Sequence, residues 1–491
     1  MKRFAVAGVA LAALSIHAPV GATRPPSNYV RCDGLPDNVT AGETAARLLG
    51  AVTLLGLFAP AHEAPDASQR LAGADGLAAC NEALPGESND IRRVQLIQAI
   101  ALHQIEAGHY DEAIAAAHQA ETDQPALAAT PAFRLTMHLS ALEIEALALA
   151  DAGRIDEAAA KALEMAAAAP YDVNNQLRAL RYLHLAARFG PAEQHFYENL
   201  VRLYPGAVLD RAVARAMTGD FHGAAEDEDL WLEVERSMTG KAEMVGLANA
   251  ALVHALAGDA ARAEELAALA REALQAESSS TFAPAASEIL DLYQIWKTAH
   301  EGRIADARLL FVNRASWLRP SAAAVAEVAR QLRQGQPADA AGPLAADPAH
   351  YRTDLLTRRQ TELRDAKNVF PMLRAYYNQA SFDHFGGNVW RSGQSRYLAD
   401  ADNDRVHARF VNVARDGFGT PANYALLLHA ALAAQAQGKQ AFMLLPGQSS
   451  MTGAFVRFGN PGDQNMIAPL ALDAARVVAD LGPVIPRPVA H

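Results

Sequence analysis

The chain has 491 residues, 51% of them hydrophobic, and its 43 basic and 55 acidic side chains leave a formal net charge of −12. That length accommodates two or three domains, and that apolar share suffices for packed cores. An acidic chain with no basic patch interleaved with aromatics argues against nucleic acid and anionic lipid as partners and favours a basic or neutral protein segment.

At the amino terminus, Lys2 and Arg3 precede an apolar run from Phe4 to Ile16, and Val20, Gly21 and Ala22 present the small residues that a signal peptidase reads. We expect a signal peptide over 1–22, cleaved after Ala22, and a periplasmic or secreted mature protein. Loss of Lys2 and Arg3 takes the net charge from −12 to −14. The apolar run is shorter than the ~20 residues a spanning helix needs. Val30 and Arg31 before Cys32 do not fit a lipoprotein signal, which requires small residues there.

Cys32 and Cys80 are the only cysteines. Export permits a disulfide, which would close a loop of roughly 50 residues and contribute about 4 kcal/mol in the chain-entropy model. The competing reading makes Cys80 a small buried helix residue and Cys32 a free thiol. Neither cysteine has a CxxC partner or a histidine near it in sequence, so no metal or redox site is expected. The apolar stretch Leu48 to Phe58 is too short to cross a bilayer and lacks the basic flank of an interfacial helix. It reads as a buried helix within an N-terminal helical cap over 23–90.

A register then recurs. Gly108, Tyr110, Ala113, Ala117, Ala120 and Pro125 are matched at the same offsets by Gly153, Ile155, Ala158, Ala162, Met165 and Pro170. The glycine suits a tight turn between antiparallel helices, the small residues allow close approach of one helix to another, and the proline stops the second helix. Partial copies start at Gly302 (Ile304, Ala307, Phe311), at Gly258 (Ala260, Ala263, Ala267, Ala270) and at Gly219 (Phe221, Ala224). In the long interval between Gly153 and Gly219, the segment from Ala186 to Pro205 is expected to supply a hairpin whose turn glycine has been lost. The register resembles the tetratricopeptide repeat, which implies an α-solenoid over 91–333 whose usual work is holding other proteins. Intervals of 45, 39 and 44 residues exceed the roughly 34 of the standard repeat, so an irregular superhelix is expected.

The resemblance also implies a binding groove lined by each first helix. Counting back from the turn glycines places Gln95, Gln98, Leu102 and Glu106 there, then Ser140, Glu143, Leu147 and Asp151, and around Gly302 Leu292, Trp296 and His300. An exposed Trp296 would be a hot spot, the alternative being core packing. The Lys and Asn set with which some repeats of this family clamp a peptide carboxylate is absent from these places.

Gln334 to Pro343 has the Pro, Gly and small polar content of a joint, followed by a polar helix, so 334–365 reads as a linker. Over 366–491 the composition changes to that of a small α/β domain. Val406 to Val413, Ala441 to Leu445 and Phe455 to Phe458 read as strands, the third antiparallel to the second. Thr420 and Pro421 start a helix that ends at Gly438, and a last helix runs from about Pro469 to Leu481. The strand–helix–strand order implies a parallel crossover.

Catalytic signals are thin. Gly447-Gln448-Ser449-Ser450-Met451 lacks the final glycine of a nucleophile elbow and precedes a strand instead of a helix. His384 has no second ligand at metal spacing, and His103, His109, His118, His254 and His300 read as helix-surface or groove residues. Glu226, Asp227, Glu228 and Asp229 read as a solvated charge run at a helix start. We therefore expect a mainly α protein, a tetratricopeptide-like solenoid followed by a small α/β domain. The expected role is a noncatalytic scaffold or adaptor of the cell envelope that holds a protein or peptide, without cofactor or metal. The alternative is an enzyme or small-ligand module in the C-terminal domain, which would require Asp383, His384 and Ser449 to converge.

Overall fold

The computed structural model describes residues 25–37, 65–314, 316–335, 344–364, 369–374, 376–377, 380–383, 389–390, 401–403, 408–412, 420–446 and 453–485. The expected signal peptide, the apolar stretch Leu48 to Phe58, His384 and Ser449 lie outside these residues.

Among the described residues of the N-terminal cap are the helices α1 (Asn28–Asp33) and α2 (Gly73–Ala83), and the Cys32–Cys80 disulfide joins them across a sequence separation of 48. The cap is keyed to α3 (Asp90–Glu106) by a two-pronged ion pair of Arg92 with Asp33, both buried, and Arg92 also donates to Leu35 O at 2.9 Å. Gly76 on α2 is required by close approach, since a Cβ there would lie 2.1 Å from Cε1 of His103 on α3.

The helical hairpins follow the predicted register. The pairs are α3 with α4 (Tyr110–Thr122) and α5 (Met137–Asp151) with α6 (Ile155–Ala168). Next come α7 (Val173–Ala186) with α8 (Pro191–Leu203) and α9 (Ala207–Thr218) with α10 (Phe221–Thr239). The last are α11 (Met244–Ala257) with α12 (Ala260–Ala276) and α13 (Ala283–His300) with α14 (Ile304–Val312). The five turn glycines, Gly108, Gly153, Gly219, Gly258 and Gly302, all have φ between 79° and 91°. The small residues of the register, among them Ala113, Ala117, Ala158, Ala162, Ala263, Ala267 and Ala307, are fully buried on the second helix of each hairpin. Their size is what lets the two backbones approach. Each hairpin packs on the next, α4 on α5, α6 on α7, α10 on α11 and α11 on α13, which is the arrangement of an α-solenoid.

The hairpin that lacks its glycine is α7–α8. Ala187 takes the glycine's role with φ 47° and ψ 42°, alone among described non-glycine residues in having positive φ. An L-residue pays roughly 1–2 kcal/mol for that conformation because Cβ crowds the following carbonyl oxygen.

After α15 (Ala322–Arg333), α16 (His350–Arg364) runs back onto the solenoid, where Arg359 donates to His184 O at 2.9 Å and Gln360 to Ala150 O at 3.3 Å. Among the described residues the C-terminal part holds five strands: β1 (Ala401–Asn403), β2 (Ala408–Asn412), β3 (Ala441–Leu444), β4 (Gly453–Gly459) and β5 (Leu472–Asp473). Two helices accompany them, α17 (Thr420–Ala436) and α18 (Ala474–Leu481). The sheet order is β1-β2-β4-β3-β5, every pairing antiparallel. β2 and β3 therefore point the same way, as the crossover through α17 requires, but β4 is inserted between them. The expected parallel crossover is present, with its two strands on either side of β4. One apolar core runs without a break from the cap and first hairpins into α17 and the sheet, and a second, smaller core serves α11 to α15.

Ala187→Gly is expected to raise stability by about 1 kcal/mol and Gly153→Ala to lower it by a similar amount. Shifts of the urea midpoint in opposite directions would bear this out, and a destabilised Ala187→Gly variant would contradict it.

Candidate functional site

Helix α5 sets the site. Thirteen of its residues, from Met137 to Ala150, are buried, so it has no solvent face. A helix apolar on all sides must be enclosed by other layers. α3, α4, α6 and α7 cover part of it, and α16 and the residues after it cover the rest.

That covering arm is the chain from 369 to 374. Its main chain is bonded to the solenoid where Arg374 N donates to Ser140 Oγ at 2.8 Å. The Arg374 guanidinium then enters a cradle built from α5 and α7: Nη2 donates to Asn175 Oδ1 at 2.8 Å and lies 3.5 Å from Glu143 Oε2, while Nη1 is 3.8 Å from Asp172 Oδ2. Burial pulls the Arg374 pKa down, and the negative charges of Glu143 and Asp172 oppose that shift. Arg178 completes the cradle, donating to Glu143 Oε2 at 2.6 Å and to the arm's Pro371 O at 3.2 Å.

Asp172 is positioned by local sequence. It is the N-cap of α7, with Oδ1 accepting from Asn174 N and Asn175 N at 3.0 and 3.2 Å, which leaves Oδ2 to accept from Thr420 Oγ1 at the start of α17. At the other end of the arm, the Phe370 ring lies between Arg70, whose Cζ is 3.4 Å from the ring centroid, and the His103 ring at 5.0 Å.

The groove residues inferred from the register are distributed as follows. Ser140 and Glu143 meet the arm directly. Gln98 is buried and donates to Met137 O at 2.7 Å, and Leu102 and Leu147 are core. Glu106 is half-buried. Burial pushes its pKa up, but hydrogen bonds from His103 and Gly73 N and the Arg70 charge outweigh that and hold it below the usual carboxylate range. Gln95 and Asp151 are half-buried. Trp296 is not an exposed hot spot. It is 6% exposed in the second core, stacked with Tyr293 at 6.1 Å and with His300 at 4.0 Å, and only His300 of this pair faces solvent. Leu292 beside it is fully buried. Arg374, Arg178, Asp172 and Asn175 escaped the sequence reading. The one available signal was Asp172 two residues beyond Pro170, where a helix restarts.

Of the histidines, His103 is fully buried, not on a surface. It lies 2.8 Å from Cys32 O and, with Cys32 and Cys80, forms a cluster whose ligand atoms are within 4.8 Å of one another. Both sulfurs are joined to each other, so neither is available as a thiolate, the form in which cysteine binds metal. His254 is buried and lies 3.1 Å from Asp229. Asp383 is exposed.

The acidic run on α10 is not a solvated helix start. The helix begins at Phe221, and the run occupies its second and third turns. Asp227 is buried against Arg211 at 2.6 Å and Arg215 at 3.2 Å, Asp229 pairs with Arg262 at 2.9 Å, and Glu228 is buried with Oε2 unbonded. Burial, reinforced by the charges of Asp227, Glu235 and Asp229, pushes the Glu228 carboxyl up to about 8.

No protein-family model matches the chain, and no curated protein matches it.

Between an ordinary carboxylate pKa of 4.5 and a folded value of about 8, the unfolded chain has released the Glu228 proton and the folded chain retains it. Stability is therefore lost as pH rises across that window. Glu228→Gln is expected to leave stability near pH 4 unchanged and to raise it at pH 8 by a few kcal/mol, up to about 4. Denaturant midpoints of both proteins at the two pH values check this, and parallel pH profiles would refute it.

Proposed function

We propose that the chain is a noncatalytic scaffold or adaptor of the cell envelope, a tetratricopeptide-like solenoid whose inner face holds an extended polypeptide bearing an arginine. The observation that carries this reading is the seat of Arg374: a backbone N–H on Ser140 and a guanidinium among Glu143, Asp172 and Asn175. Such a seat fixes both the course of a bound main chain and one side chain on it, and an acidic chain suits a basic segment.

The chain's own arm is the occupant seen here. A partner that presents an arginine to the same cradle competes with it. An envelope location agrees with the expected signal peptide and with the Cys32–Cys80 disulfide, since such bonds persist in oxidising compartments. No helix among the described residues is long and apolar enough to cross a membrane.

The test is affinity capture from the envelope fraction of the native cell with three full-length baits: wild type, Arg374→Ala, and Arg374→Ala with Glu143→Gln. Each is used below its own melting transition. Vacating the cradle is expected to increase capture of a polypeptide partner, and neutralising Glu143 to reverse the gain. Equal capture by all three removes the cradle as the binding site.

A further inference from the structure

A second concave site lies where the C-terminal part meets the outer side of α6 and α8. It is a cleft of about 560 Å³ whose far wall is β5 and α18. That volume falls within the range of small-molecule sites, which favour boundaries between packed units. Leu163, Tyr171, Phe196 and Val477 give it apolar walls, and polar groups gather at its rim.

The charges at the rim are unequal in what they have left to offer. Asp473 caps α18, its Oδ1 accepting from Arg476 N at 2.7 Å. Asp480 Oδ2 accepts from Tyr171 OH at 2.6 Å and lies 3.6 Å from Arg476 Nε. Burial raises the Tyr171 pKa and Asp480 raises it further, so the phenol keeps its proton and the donation to Asp480 persists at neutral pH. Asn199 is spent on Pro170 O at 2.6 Å. Arg202, in the last turn of α8, lines the cleft with no hydrogen bond or ion pair to any described residue, and the exposed His195 lies two turns before it.

A half-buried guanidinium facing an apolar, ligand-sized cleft, beside carboxylates that already have partners, is complementary to one anionic group on an apolar body. A planar carboxylate matches the donor fork of arginine. We propose that this cleft binds a small apolar carboxylate, its acid group on Arg202 and its hydrocarbon body against Leu163, Phe196 and Val477. The site is separate from the Arg374 cradle and does not depend on the scaffold reading.

The test is calorimetric titration of the full chain with decanoate, decanol and decylammonium, and with N-acetyl-leucyl-phenylalanine to separate a fatty from a peptidyl carboxylate. We expect one saturable site for decanoate, for the peptide acid or for both, with decanol and decylammonium at least tenfold weaker. Arg202→Ala should weaken the acid by roughly ten- to hundredfold, the range set by loss of a charge-assisted hydrogen bond. Ala167→Trp, at an exposed position on the cleft wall, should abolish binding with the melting temperature unchanged. Absence of saturable binding, equal affinity for decanol, preference for decylammonium, or an Arg202→Ala variant that binds like wild type would each overturn the assignment.

Discussion

Arg374 brings a full charge to a position where its side chain is only 11% exposed, and groups from the solenoid close around it. A buried charge without partners costs several kcal/mol, so each group that approaches it is committed. Glu143 comes from the middle of α5, Asp172 from the cap of α7, and Asn175 from the first turn of α7. Asp172 also accepts from Thr420, so the same carboxylate that faces the arginine fixes the start of α17, the crossover helix of the sheet. Three segments far apart in sequence are thereby held at one point. Attraction and desolvation roughly offset in such a network, so its effect is to set position more than to add stability. The apolar core that continues from α5 and α7 into α17 supplies the free energy.

The hairpins were legible because their determinants are local. A glycine with positive φ, an alanine face and a terminating proline each act within one or two turns, and the five glycines take the expected conformation. Even the lost glycine was traceable, since the flanking helical pattern demanded a turn that Ala187 then makes at a steric cost. The groove was not legible in the same way. Counting back from a glycine identifies the face of α5 that carries Ser140, Glu143 and Leu147, but whether that face meets water is decided by a segment more than 200 residues later. The warning was in α5 itself, where Leu139, Ile144 and Leu149 leave no polar side. A solenoid helix open to solvent would have one. Trp296 took the alternative of core packing, in one core with Tyr293 and Leu292.

Sheet order shows the limit from another direction. Three strands and the crossover helix were read from alternation and capping, and each exists. The antiparallel pairing of β4 with β3 was expected, but nothing in the strands' own residues says that β4 also pairs with β2 and so parts the two crossover strands. The α10 acids show how burial overrides composition. Four consecutive carboxylates look like a solvated run, yet a helix turns each by about 100°, so the four face different neighbours. Arg211 and Arg215 take one, Arg262 another, and Glu228 is left inside with the proton it needs.

The arm's covalent attachment constrains what any partner must do. A tethered segment meets its own cradle at an effective concentration of about millimolar, so a free competitor with the same contacts is outcompeted at ordinary concentrations. Its apparent affinity is reduced by the fraction of molecules whose cradle is open. A partner succeeds only with contacts the arm lacks, or where the arm's hold is weak. The hold is uneven. At Phe370 it is a ring between Arg70 and His103, close to the disulfide-bound cap, and at Arg374 it is the charged cradle. Exchange that begins at the Phe370 end uncovers the ring and the Arg70 guanidinium stacked on it, and Arg70 keeps Glu106 as its partner at 3.8 Å. Exchange that begins at Arg374 must leave Glu143 with Arg178 alone as its cationic partner. Entry from the cap side therefore separates no ion pair of the cradle, and a partner that entered there would meet Arg70 of the cap and His103 of α3 before it reached α5.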